Sequence, residues 1–178
     1  LVSWFCLRFL ERLRLTALGF ALHSGWWRDA LLGLAVSVLM IAIVVVLQTL
    51  SGGTQLRFNQ LCLPALSGGS TLASVLLMVS AAFEELVFRG YAFQTLLRDV
   101  PAVVPITLLA LLFGLAHWPN PSRTWFSILN TVLAGIWLAV AYLKTRSLWL
   151  PTALHFGWNW TMGLGFGLPV SGMQMPNS

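Results

Sequence analysis

Charge is what this sequence has least of. Only 8% of its residues are charged, against roughly 25% in a soluble domain, while 58% are hydrophobic. So few polar side chains cannot cover a water-facing surface, which excludes an ordinary soluble globular protein. The net charge of +5 is read through loop placement rather than as a nucleic-acid footprint, so no nucleic-acid partner is expected. Two cysteines, Cys6 and Cys62, are too few for a disulfide framework. Several catalytic signatures are also missing. There is no HExxH zinc motif and no GxSxG nucleophile elbow. No aspartate lies in a membrane-spanning run, which excludes an aspartyl dyad. The lack of an internal repeat with paired broken helices argues against a transporter.

Long uncharged runs are present instead. A span needs about 20 apolar residues to cross ~30 Å of hydrocarbon, and several segments qualify. The fold class expected is all-α: a polytopic bundle of about five membrane-spanning helices, preceded by an N-terminal interfacial helix. Continuous rather than alternating apolar runs exclude a β-barrel. Residues 1–29 form the interfacial segment, with Arg8, Glu11, Arg12 and Arg14 on it and Trp26 and Trp27 as headgroup-level anchors. Residues 30–168 form the bundle and 169–178 a flexible tail.

Within the bundle the first helix covers 30–50, and the Gly- and Ser-rich stretch 51–70 is a loop. The second runs from Thr71 to Leu97 and ends before Pro101. The third, about Ala102 to His117, is stopped by Pro119-Asn120-Pro121. The fourth spans about 125–143. The fifth, from Leu148 to about Leu168, has Pro151 in its first turn, where proline is tolerated. A cytoplasmic N-terminus puts Arg8, Arg12, Arg14, Arg28, Arg98, Lys144 and Arg146 inside and leaves Arg57 and Arg123 outside. This predicts five crossings of a multi-pass protein, with the N-terminus inside and the C-terminus outside.

The polar residues inside these runs carry the chemistry. Two of only five acids, Glu84 and Glu85, stand side by side in the second helix, where an ionised carboxylate marks function by default. Adjacent helix residues point about 100° apart, so the pair does not face one small pocket squarely. Arg89 lies four residues after Glu85 in the favourable orientation for a helical ion pair, which leaves Glu84 without a local partner. His117 closes the third helix, four residues after Phe113. His155 and Asn159, four apart, share one face of the fifth. A lone histidine in an apolar helix is more often a packing residue than a catalyst. Two histidines with Asn159 and an unpaired glutamate on three helices are harder to set aside. Folded as an antiparallel hairpin about position 100, the second and third helices bring Glu84 and His117 level. The expectation is one buried site of Glu84, His117, His155 and Asn159, reached from the cytoplasmic side.

Two chemistries fit that set. A carboxylate and an imidazole can activate a water as base and then acid, with a second imidazole and an amide donating to the oxyanion. Alternatively Glu84, His117 and His155 make a two-histidine, one-carboxylate zinc site with an open position. The donor set is the same, and both readings remain open at this stage.

The chain resembles the CPBP (ABI or CAAX-protease-like) intramembrane proteases, which include the type II CAAX prenyl endopeptidases and bacteriocin self-immunity proteins. Their EExxxR, FxxxH and HxxxN/D motifs are matched by Glu84-Glu85 with Arg89, by Phe113 with His117, and by His155 with Asn159. The segment NTVLAGIWLAVAYLKTRSLWLPTALH also looks like the approach to the third motif, and the likeness spans roughly 70–162. It implies a helical bundle with a site open to the cytosol and an endopeptidase acting on a membrane-embedded or lipidated substrate, prenylated CAAX peptides being the best known. It further implies Glu84 and His117 as water activators and His155 and Asn159 as oxyanion holders, with Glu85, Arg89 and Phe113 in support. Family members are described both as metalloproteases and as metal-independent glutamic proteases; the metal-independent form is preferred here, with zinc as the alternative. Leu1 in place of an initiating methionine, and fewer upstream crossings than the family usually has, imply a short or truncated member. The rival functions are a non-catalytic membrane partner, such as an immunity or scaffold protein, and a proton or ion carrier built on the same buried acids.

Overall fold

A computed structural model describes residues 18–53 and 68–173, and every described helix is built from an uncharged or nearly uncharged run. The elements are α1 (Trp26–Leu50), α2 (Gly68–Phe88), α3 (Tyr91–Asp99), α4 (Val103–Ala116), α5 (Trp125–Thr145) and α6 (Trp149–Trp160), which continues into a π-helical turn, Thr161–Gly165. The fold is all-helical, and the one β-bridge among the described residues joins Val170 to Met173 in a tight turn. Three stretches are long and apolar enough to cross a membrane: Trp26–Leu50, Gly69–Asp99 and Trp125–Thr145. At 1.5 Å per residue the first is ~38 Å long and the third ~32 Å, while α4 reaches only ~21 Å. Most of the expected interfacial helix and the 54–67 link lie outside the described residues.

Packing follows small residues. On α1 the buried positions Gly33, Ser37, Ile41 and Val45 recur every four residues and form one stripe. That stripe runs along α6, where Gly33 sits against Ala153 and the Leu150 carbonyl, and Ser37 against Gly157. Such small-residue seams let helix backbones approach where lipid supplies no hydrophobic drive. α4 packs along α5, with Gly135 on Ala110 and Phe113. α2 rests on α6 but touches α4 at few points.

One boundary differs from the sequence expectation. The second helix is not continuous to Leu97: it stops at Phe88, and α3 starts again at Tyr91. Gly90 is the cause. Its backbone (φ −77°, ψ −131°) leaves the helical region, and a Cβ there would run into the Leu86 carbonyl. The break is sealed by the Gln94 side chain, whose Nε2 donates to the Arg89 carbonyl at 3.1 Å and to the Leu18 carbonyl at 2.7 Å. Amphipathic α3 then buries Phe93 edge-on against Tyr142, 5.6 Å between centroids.

The faces of the bundle can be assigned from direct contacts. The Gly19 carbonyl accepts from Leu148 N at 2.8 Å and from Ser147 Oγ at 3.2 Å, and Trp149 Nε1 donates to the Ala21 carbonyl. The segment before α1 therefore shares a face with the α5–α6 turn. Trp26 helps close it by packing on Trp149, while Trp27 stays exposed with the Arg28 guanidinium over its ring. At the opposite face Gly172 lies against the Pro121 carbonyl, so the C-terminal turn rests on the α4–α5 loop.

Candidate active site

The site is built from the polar side chains of three apolar helices, α2, α4 and α6. Glu85 and Arg89 form the expected helical ion pair, Nη1 to Oε1 at 3.0 Å, fully buried. Two buried charges are tolerated only when their remaining donors are used. Here Arg89 Nη2 donates to the Gly135 carbonyl at 2.9 Å, across on α5. The guanidinium also lies 4.7 Å from the centre of the Phe113 ring, a desolvated cation–π contact. Phe113 is the hub of the site, since its ring meets Phe88, His117 and His155 edge-on at 5.0, 4.6 and 5.9 Å.

Glu84 and both histidines converge as the sequence predicts. Glu84 Oε2 is 3.7 Å from His117 Nε2 and 3.8 Å from His155 Nε2. That oxygen is buried and has no hydrogen-bond partner. The other carboxylate oxygen, Oε1, accepts from Ser80 Oγ at 3.1 Å. Asn159, one turn beyond His155, is half-buried, and its side chain makes no hydrogen bond among the described residues.

Each histidine is oriented by its far nitrogen. His117 ends α4, and its Nδ1 lies 2.8 Å from the Phe113 carbonyl. A carbonyl only accepts, so Nδ1 carries the proton and Nε2 faces Glu84. His155 Nδ1 lies 2.9 Å from Glu85 Oε1, a carboxylate oxygen, and is a donor by the same logic. In their neutral forms both rings therefore aim lone pairs at Glu84 Oε2. Three acceptors facing one another need a proton, a water or a cation between them.

Here the structure departs from the helix-face argument. Glu85 is not solely the partner of Arg89; its Oε1 also holds His155. The two glutamates diverge as expected, but one imidazole has a nitrogen at either end and bridges them. Glu85 thus acts on the site through His155. Ser80 is absent from the sequence-derived set as well, although its place four residues before Glu84 is a readable signal. Two hydroxyls on α6 and its π turn, Thr152 Oγ1 and Thr161 Oγ1, are buried without partners; Thr152 shares a helix face with His155 and Asn159.

A family model for Rce1-like type II CAAX prenyl endopeptidases matches residues 67–161, the stretch carrying all these side chains. The chain belongs to that family. No curated protein and no solved structure matches it. As an Rce1-like protein with three apolar spans it is an integral membrane protein, among the CAAX-type intramembrane proteases. In this family member, the donor types and tautomers at Glu84, His117 and His155 are those a zinc site uses. Among the described residues, however, no three such side chains come close enough to hold a metal ion.

Proposed function

We propose that the protein is an endopeptidase hydrolysing a peptide bond of a membrane-associated substrate, in its finer form a prenylated, CAAX-type chain. The observation that carries this reading is Glu84 Oε2, a buried carboxylate oxygen with no hydrogen bond that faces two imidazoles. Such an oxygen is poised to take a proton from a water beside it.

The geometry supports hydrolysis by a water that Glu84 activates. Glu84 removes a proton as the water oxygen bonds to the scissile carbonyl carbon, and the carbonyl π electrons move to oxygen. An imidazole donates from both nitrogens when doubly protonated, and in that form His155, held at Nδ1 by Glu85, donates from Nε2 to the oxyanion together with the Asn159 amide. Preorganised donors of this kind contribute about 10²–10³ in rate each. Collapse of the intermediate breaks the C–N bond, and the leaving nitrogen takes a proton from Glu84, with His117 as the relay. Substrate reaches the site from the lipid-facing side of the bundle, where the exposed side chains of α2 and α4, among them Val79, Phe83, Val87, Leu112 and Leu115, are apolar. The cations Arg28, Arg98, Lys144 and Arg146 cluster toward the face shared by the start of α1 and the α5–α6 turn, which supports a cytoplasmic N-terminus.

The test is cleavage of a prenylated CAAX peptide by purified protein in detergent or liposomes, with and without chelator. Glu84→Ala and His155→Ala are expected to lose at least 10³-fold in kcat, an order set by general-base and oxyanion contributions. Turnover by wild type should persist in chelator if the reaction is metal-free. Cleavage that survives both substitutions would overturn the site, and chelator-sensitive cleavage would replace the metal-free route by the zinc one.

A further inference from the structure

The carboxylate of Glu84 is useful only if one oxygen is presented to the imidazoles and kept there. A glutamate side chain has three rotatable bonds, so its direction must come from a neighbour. Among the described residues, one side-chain hydrogen bond to it is seen. Ser80, one turn earlier on the same face of α2, donates its hydroxyl to Oε1 at 3.1 Å. With Oε1 occupied, Oε2 is the oxygen turned toward His117 and His155.

Ser80 behaves unlike four other hydroxyls of these helices. Thr49 donates to the Val45 carbonyl at 2.8 Å, Ser74 to Ser70 at 2.8 Å, Thr131 to Ser127 at 2.9 Å, and Ser37 to Leu34 at 2.9 Å. That is the ordinary solution for a hydroxyl in an apolar environment, where the helix's own carbonyls are the nearest acceptors. Ser80 instead points forward, to a side chain four residues on. Ser80 is exposed on α2, about 18 Å in from the helix start at 1.5 Å per residue, within a stretch long and apolar enough to cross a membrane. Its acceptor is a carboxylate, and a bond to a charged acceptor is stronger than one between neutral groups.

We infer that Ser80 is the positioning residue for Glu84: it fixes the carboxylate so that Oε2 acts on the water. It touches no reacting atom, and it lies outside the three motifs that define the site. The inference rests on Glu84 being the water-activating base. Substrate binding does not depend on which Glu84 oxygen faces inward, whereas the chemical step does.

The experiment compares wild type, Ser80→Ala, Ser80→Thr and Glu84→Gln on a prenylated CAAX peptide, with kcat and KM determined separately and melting temperature as a folding control. Ser80→Ala should lower kcat about tenfold with KM within about twofold and the melting temperature unchanged, since the side chain is exposed. Ser80→Thr keeps a hydroxyl and should restore kcat to within about threefold. Equal kcat for wild type and Ser80→Ala overturns the positioning role while leaving the Glu84 reading intact. A rise in KM alone makes Ser80 a substrate contact, and Ser80→Ala as inactive as Glu84→Gln makes its hydroxyl a reacting group; either result overturns it. Activity retained in Glu84→Gln removes the base reading, and the role of Ser80 with it.

Discussion

Glu85 shows how much one buried oxygen can be asked to hold. Its Oε1 accepts from Arg89 at 3.0 Å and from His155 at 2.9 Å, so the ion pair and the site share an atom. Removing Arg89 leaves Glu85 buried with a single partner, and breaking a buried pair this way costs about 3–5 kcal/mol. Arg89→Ala is expected to lose most of its folded yield and to melt far below wild type, as read by thermal unfolding in detergent. Arg89→Lys should recover only part, because one ammonium does not reproduce a guanidinium that reaches both Glu85 and the Gly135 carbonyl. Much at this scale is legible in the sequence. The converging residues Glu84, His117 and His155 are rare polar types in apolar runs, and rarity is readable. The Arg89 bond to Gly135 is not, since a backbone carbonyl has no sequence signature. Nor is the bridging by His155: helix-face geometry assigns directions to side chains and ignores the width of an imidazole ring.

At the scale of elements, the sequence conveys where apolar runs begin and end better than where they are interrupted. Pro119-Asn120-Pro121 ends α4 within a residue of expectation, because proline removes a donor and constrains its predecessor. Gly90 escapes notice, since a single glycine inside a helical pattern is tolerated and only the tertiary setting makes it a break. The π turn Thr161–Gly165, directly after the Asn159-bearing turn, is likewise invisible: it changes register without changing hydrophobic pattern. If the break is required, Gly90→Ala should be damaging despite its small size. A Cβ added at Gly90 runs into the Leu86 carbonyl, which must move. A loss of about 2 kcal/mol is expected from such overpacking, seen as a lowered melting temperature together with reduced kcat, because Arg89 lies immediately before the break. A Gly90→Ala protein that melts with wild type would refute the clash argument.

For the molecule as a whole, the alternation of helices puts residues 100–102 and 145–148 on the face of residues 18–21, and the 117–124 loop on the other. Single cysteines introduced by Val100→Cys and Asn120→Cys, in a background lacking Cys6 and Cys62, should differ in reactivity in sealed cells. A membrane-impermeant thiol reagent is expected to label the position 120 variant from outside and the position 100 variant only after permeabilisation. Equal labelling from outside would break the topology, and the reverse pattern would invert it. The same architecture divides labour unevenly. α1 lies outside the 67–161 family match and offers no side chain to the site, yet it lies along the helix that bears His155 and Asn159. It meets that helix through Gly33 and Ser37 on one side and Ala153 and Gly157 on the other. What α1 contributes to the family-matched core is therefore specified by packing rather than by chemistry. Any upstream membrane helix with small residues at a four-residue interval could serve as its brace, so the front of such a chain is free to diverge in length and sequence while the core stays fixed.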